Sequence, residues 1–235
     1  MRWPDSGALE QAEDRRDNYG VMSRLFRSEV SRDLLAGLCE SPAPDPTGNV
    51  LFDEGYGRIR TYLDSVEDVD KGRSELAQDY CYTFLGYGGG GPQCDGGSAS
   101  MRAAYPYESI YASGSKAIGG EHSAQVREAY VEARFRPRRD RIDADDHIAC
   151  ELEFMQFLAD QELTALRAAD ERAVDEVRMR EKGFIEAHLL PWAPAFRRVV
   201  EDFAQTAFYQ GLVQMTVGWL QQDAEYLASL SGGVE

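Results

Sequence analysis

The chain has 235 residues, of which 43% are hydrophobic, so it is long enough to bury a core without disulfides or metals. Its 41 acidic residues outnumber 25 basic ones and give a formal net charge of −16, which argues against nucleic acid and anionic membrane surfaces as partners. The same charge favours a cationic partner. The four cysteines show no C-x-x-C spacing, and no apolar leader or membrane-length segment is present. We therefore expect a cytoplasmic protein without stable membrane insertion.

The spacing of apolar residues predicts an all-α, single-domain multi-helix bundle over residues 18–230. An N-terminal tail is expected at residues 1–17 and a C-terminal tail at 231–235. Helices are predicted, in chain order, over residues 18–38, 51–66, 74–85, 121–135, two long stretches from Asp146 onward with a break near 167–170, then 193–204 and 206–230. Residues 86–100 are rich in glycine but lack the lysine of a phosphate-binding P-loop, so a flexible loop is predicted there.

Residues 143–158 are the most informative stretch, because acidic side chains and a histidine stand directly before a helical pattern. Asp145 or Asp146 is expected to cap the helix. His147 and Glu151 are four residues apart and would share one helix face, which is also the spacing of a helical metal-ligand pair. One hypothesis is therefore a small metal-dependent hydrolase that uses Asp145, Asp146, His147 and Glu151.

Aromatic residues mark a second region. Tyr80 and Phe84 lie four apart on the third predicted helix, a spacing typical of core positions. Tyrosines also surround Pro106 in a predicted loop, and aromatic-rich loops often form recognition surfaces. A histidine at residue 188 opens the segment His-Leu-Leu-Pro-Trp, which predicts a packed helix corner.

Taken in order, these segments resemble the TorD/DmsD/NarJ family of redox-enzyme maturation chaperones, closest to its TorD/DmsD branch. The family's Pro-Tyr-Glu-Ser-x-Tyr motif matches residues 106–111. Its Asp-His pair, followed by Glu-Leu-Glu-Phe-Met, matches residues 146–155, and its His-Leu-x-Pro-Trp corner matches 188–192. The aromatics of the family's third helix match Tyr80 and Phe84, but Thr83 stands where the family often has leucine.

The resemblance implies a non-enzymatic cytoplasmic chaperone without a cofactor of its own, either a monomer or a domain-swapped dimer. Such a protein binds the twin-arginine signal peptide, the apo form of a molybdenum-cofactor oxidoreductase, or both, and assists cofactor insertion before export. Acidic residues would pair with the peptide's arginines, and exposed aromatics would take its apolar middle. The peptide-binding residues expected on this basis are Tyr80, Phe84, Pro106, Tyr107, Glu108, Asp145, Asp146, His147 and Glu151.

Overall fold

A computed structural model of the chain describes residues 6–87, 101–112, 117–140 and 142–231. Within these residues the backbone forms only helices, turns and one isolated bridge, so the all-α prediction is confirmed. None of the described helices is both long enough and apolar enough to cross a membrane. Most of the predicted glycine-rich loop, residues 88–100, lies outside the described residues. The helices are α1 (Ser6–Arg27), α2 (Arg32–Glu40), α3 (Val50–Asp64), α4 (Val69–Leu85), α5 (Glu108–Ala112), α6 (Glu121–Glu132), α7 (Ile148–Arg167), α8 (Glu171–Phe184), a π-helical turn (Ile185–Leu189), α9 (Ala193–Phe203) and α10 (Ala207–Ser231).

The contacts of the chain divide it into two compact units, where the sequence predicted one domain. The first unit contains α1, α5 to α8, the π-helical turn and the end of α10. The second contains α2 to α4, α9 and the larger part of α10. Their segments are Met1–Arg27, Tyr107–Trp192 and Gln222–Glu235 in the first unit, and Ser28–Pro106 and Ala193–Gln221 in the second.

The beginning of the chain differs from its prediction. Residues 6–17, assigned to a tail, belong to α1, and the single helix predicted over 18–38 is wrong. The chain leaves the helix after Arg27, and α2 begins anew because the Ser31 side chain accepts a hydrogen bond from the Leu34 amide at 3.3 Å. The apolar steps of four continue across this break, so periodicity alone could not reveal it.

In the second unit, α3 packs against α10 through glycines that let the two backbones approach closely. A Cβ atom added at Gly55 would lie 2.4 Å from the Met215 amide nitrogen, and one at Gly211 would lie 2.5 Å from the Gly55 carbonyl oxygen. Glycine lowers helix propensity, but at these positions it is required by the packing. Gly57, two residues further along α3, has no such neighbour within 4 Å.

In the first unit, α1 lies along α7 and carries a fully buried arginine. The Arg15 guanidinium contacts Glu162 at 2.5 Å, Asp223 at 2.5 Å and Glu181 at 3.1 Å. The Tyr19 hydroxyl donates a further hydrogen bond to Asp223 at 2.6 Å. These contacts join α1, α7, α8 and the last part of α10, and burial of so many charges makes each partner necessary to the others.

Gly55→Ala should destabilise the protein by about 2 kcal/mol or more, because the added methyl group overlaps the backbone of α10. Gly57→Ala is the matched control on the same helix and should raise stability by up to about 1 kcal/mol through helix propensity. Urea unfolding of both variants measures the difference. Equal effects of the two substitutions would contradict the close packing of α3 on α10.

Glu181→Gln should become more stable than the natural protein as the pH rises from 5 to 8. Burial raises the pKa of Glu181 to about 8 despite the attraction of Arg15. In the unfolded chain the same carboxyl group has its ordinary pKa of 4.5. The natural protein therefore loses up to about 1.4 kcal/mol per pH unit in this window, and glutamine removes that loss. Asp175→Asn, on the exposed side of α8, is the control. Urea unfolding at both pH values measures the free energy of unfolding. The same change in this free energy between pH 5 and pH 8 for all three proteins would contradict the prediction.

Candidate functional site

The three motifs that are far apart in the sequence meet inside the first unit. Asp146 connects two of them: its carbonyl oxygen accepts from the Glu108 amide at 2.9 Å, and its carboxylate accepts from the Ser109 amide at 2.9 Å. Tyr107 and His147 form an antiparallel bridge, with their rings in edge-to-face contact at 4.8 Å. The tyrosine motif is thereby fixed against the start of α7.

Glu108 connects the tyrosine motif to the histidine corner. Its carboxylate is 2% exposed and lies 3.2 Å from Nδ1 of His188 and 3.4 Å from Nδ1 of His122. Two imidazoles from different elements thus face one buried carboxylate, an arrangement that satisfies its oxygens without solvent. His122 and His188 were not among the predicted site residues.

The corner itself packs against the same short helix. Trp192 is fully buried, stacks on the Tyr111 ring at 5.6 Å, and donates from its indole nitrogen to the His188 carbonyl oxygen at 2.5 Å. The predicted packed corner is confirmed. Glu151 is also fully buried, and burial together with the charges of Glu108 and Asp146 holds its pKa well above the ordinary range.

The cap of α7 differs from its prediction. Neither Asp145 nor Asp146 caps the helix; His147 does, because its Nδ1 accepts from the Ala149 amide at 3.1 Å. The two aspartates instead accept hydrogen bonds from residues more distant in the sequence: Asp145 from Arg127, and Asp146 from the Ser109 amide. Burial, reinforced by the positive charge of Arg27, lowers the pKa of His147 from its ordinary value of 6.5 to about 3. The imidazole is therefore neutral at physiological pH, as a nitrogen acceptor must be.

The remaining acidic groups are paired with arginines. Asp145 accepts from Arg127 at 2.7 Å and also from Arg139. Glu153, which the sequence analysis did not select, accepts from Arg27 at 2.8 Å and from Arg138 at 2.7 Å. Each of these two carboxylates thus binds two guanidinium groups, and no spacing in the sequence indicates such pairs.

The prediction of exposed aromatics is wrong. Tyr107 is 7% exposed, Tyr80 is 4% exposed and Phe84 is 1% exposed. Tyr80 and Phe84 belong to the second unit, where both pack against Tyr209, while the other predicted residues except Pro106 belong to the first. Thr83, the departure from the family pattern, donates to Asp79 at 2.8 Å within that second core.

Within the described part of the first unit, two surface pockets lie close to these groups. The larger, about 460 Å³, lies beside the ion pair between Asp145 and Arg127. It is lined by Ile118, Gly119, Gly120, Ser123, Ala124, Arg127, Asp143 and Ala144. The smaller, about 180 Å³, is mainly apolar and is lined by Ala129, Glu132, Ala133, Phe154, Arg180, Gly183, Phe184, Ala187 and His188. Since His188 contacts Glu108, the apolar pocket lies next to the buried contacts that join the three motifs. Among the described residues, no group of three or more His, Cys, Asp or Glu is arranged to hold a metal ion.

Comparison with known proteins gives a consistent result. A family model described as nitrate reductase delta subunit matches residues 50–198. Relatives named Chaperone protein TorD match almost the whole chain: the one from Vibrio parahaemolyticus is 24% identical over 227 residues, covering 92% of this chain and 95% of the relative. Those from Vibrio vulnificus and Vibrio cholerae are 25% and 24% identical, covering 92% and 93% of this chain and 95% and 94% of the relatives.

His147→Asn should reduce the loss of stability between pH 7 and pH 5, because asparagine also caps helices but does not titrate. In the natural protein, the His147 imidazole of the unfolded chain is protonated near pH 6.5, whereas the imidazole of the folded protein is protonated only near pH 3. Stability is therefore lost as the pH falls, by about 2 kcal/mol at pH 5. Urea unfolding at the two pH values measures the loss, and an unchanged loss in the variant would contradict the assignment of His147 as a buried neutral cap.

Proposed function

Because the chain belongs to the TorD/NarJ family, described by the nitrate reductase delta subunit model, we propose that it is a cytoplasmic maturation chaperone for a molybdenum-cofactor oxidoreductase. Its relatives are named chaperones rather than enzymes. In the proposed role the chain binds the twin-arginine signal peptide of the client, its apo form, or both, and delays export until the cofactor has been inserted. The convergence of the three family motifs on one buried cluster is the observation that carries the proposal.

The charge of the protein supports a cationic client segment. A twin-arginine leader is positive at one end and apolar along its middle, and a net charge of −16 attracts it over a distance of about one Debye length. At close range, Asp145 and Glu153 already accept hydrogen bonds from the guanidinium groups of Arg127 and Arg138, so their carboxylates are suited to bind an arginine of the client. Asp145 is buried, but its partners Arg127 and Arg139 are 59% and 51% exposed, so it can be reached by exchange of those partners. The predicted residues Glu108, Asp146, His147 and Glu151 are buried and have no exposed arginine partner among the described contacts, so in this proposal they hold the recognition surface in place.

The apolar middle of the leader needs a surface other than the buried aromatics. The pocket of about 180 Å³ beside His188 has walls of Phe154, Phe184 and alanines, and it offers room for an apolar side chain of the peptide. Burying ~400 Å² of apolar peptide surface contributes roughly 10 kcal/mol. Ordering of the peptide offsets much of that, while each exposed arginine contact adds only about 1 kcal/mol. Affinity near the micromolar range follows, with selectivity from the arginines.

The hydrolase hypothesis is not favoured by these observations. His147 accepts a backbone hydrogen bond, and Asp145 and Asp146 already accept from arginines and backbone amides. Glu151 is fully buried, and burial together with the charges of Glu108 and Asp146 raises its pKa. His147, Asp145 and Asp146 are therefore engaged in structural contacts, and the relatives of the chain are named chaperones rather than enzymes.

The protein should bind a synthetic leader peptide with adjacent arginines with a dissociation constant of the order of micromolar, measured by isothermal titration calorimetry. Replacing the two arginines of the peptide by lysines should weaken binding roughly tenfold, because lysine lacks the planar guanidinium group that these carboxylates already accept from Arg127 and Arg138. Asp145→Asn should weaken the binding of the arginine peptide by about fivefold.

Asp140→Asn is the matched control, since it removes one negative charge from an exposed residue of the same loop. It should change affinity less than twofold. Circular dichroism establishes that the variants remain helical. Absence of binding to the arginine peptide, or equal binding of the lysine peptide, would count against the proposed client.

A further inference from the structure

The chain carries its own pair of adjacent arginines, and each of the two contacts a different site carboxylate. Arg138 donates from Nε to Glu153 at 2.7 Å, and Arg139 donates to Asp145. Both lie in the loop between α6 and α7, in a segment whose basic character is unusual for a protein with a net charge of −16. Adjacent arginines that contact two different carboxylates reproduce, within one molecule, the contacts proposed for a twin-arginine client.

These two side chains are placed at the surface, unlike the groups they contact. The side chains of Arg138 and Arg139 are 69% and 51% exposed, whereas those of Glu153 and Asp145 are 11% and 2% exposed. A guanidinium group arriving from solvent therefore meets the arginines first and can take over their acceptors. Because the guanidinium ends of these pairs lie in solvent, a competing cation can reach the carboxylates without first being buried itself.

Each carboxylate also has a second arginine partner that would remain after an exchange. Arg27 donates to Glu153 at 2.8 Å, and Arg127 donates to Asp145 at 2.7 Å. Neither acidic group would be left as an uncompensated buried charge at any stage, which removes the main energetic barrier to exchange.

The backbone at Arg138 is held by contacts that do not involve its side chain. The Arg138 amide donates to Glu153 at 3.0 Å, and the Arg138 carbonyl oxygen accepts from Arg27. The Arg138 side chain can consequently leave its acceptor while the backbone at this residue keeps both contacts.

We propose that Arg138 and Arg139 form an autoinhibitory contact, in which the chain's own arginine pair occupies Glu153 and Asp145 until a client's arginine pair displaces it. This rests on the proposed function and adds Glu153 to the residues that receive the client. The contact raises selectivity, because a segment with a single cation displaces only one of the two internal pairs and gains correspondingly less.

The test compares two double variants by calorimetric titration with the twin-arginine leader peptide. Arg138→Gln with Arg139→Gln removes the two guanidinium groups while retaining shorter, uncharged polar side chains. Arg134→Gln with Arg136→Gln is the matched control: it removes the same charge from the same basic segment, at exposed residues that make no ion pair within the described part of the chain.

The Arg138/Arg139 variant should bind the arginine peptide roughly fivefold more tightly than the natural protein, and the Arg134/Arg136 variant less than twofold more tightly. A peptide with two lysines should show the smaller gain with both variants. Equal gains in the two variants would overturn the proposal, because a general change in charge would then explain them. Weaker binding by an Arg138/Arg139 variant that retains its helical spectrum would also overturn it.

The two proposals fail in different ways. If the natural protein binds the arginine peptide and the variants show no difference, the autoinhibitory contact is wrong and the client assignment stands. If none of the proteins binds, both proposals fall together.

Discussion

The arrangement of the first unit depends on the hydrogen bonds that Asp146 accepts from the segment after Pro106. A carbonyl oxygen and a carboxylate of one residue take two successive amides, those of Glu108 and Ser109. Because the aspartate is fully buried, loss of either partner would leave a polar group without compensation. This local constraint directs the Glu108 side chain toward His188 and brings the third motif to the other two.

A strong net charge does not imply free carboxylates at the site. Asp145 and Glu153 each bind two arginines of the chain, and Glu108 faces two histidines. The excess of acidic residues therefore acts through its long-range field, while Asp145 and Glu153 are neutralised locally by arginines of the chain. Recognition of a cationic segment at such a site is an exchange of partners, which favours the partner that brings additional apolar contact.

The spacing of apolar residues predicts the all-α class of the fold and most of its helices, because residues three and four apart lie on one face of a helix and that face is buried in the core. It fails at Ser31, where the apolar steps continue across a helix break, and at Tyr107, which the pattern predicts to be exposed and the structure buries. The partners of Glu108 and Asp146 lie 14 to 80 residues away along the chain, and periodicity carries no information about contacts of that range. The order of the motifs indicates the region, but the inward orientation of its side chains depends on contacts that only the folded structure brings together.

The π-helical turn at Ile185–Leu189 explains how one corner supplies two contacts to the same short helix. The Leu190 amide donates to the Ile185 carbonyl oxygen at 2.9 Å, one residue further back than in an α-helix. The turn therefore holds an extra residue, and the carbonyl oxygen of His188 accepts from the Trp192 indole. The His188 ring contacts Glu108 while Trp192 stacks on Tyr111, so both ends of α5 are fixed by a single irregular turn. An uninterrupted α-helix would rotate these two side chains relative to each other, which gives the local irregularity a clear structural purpose.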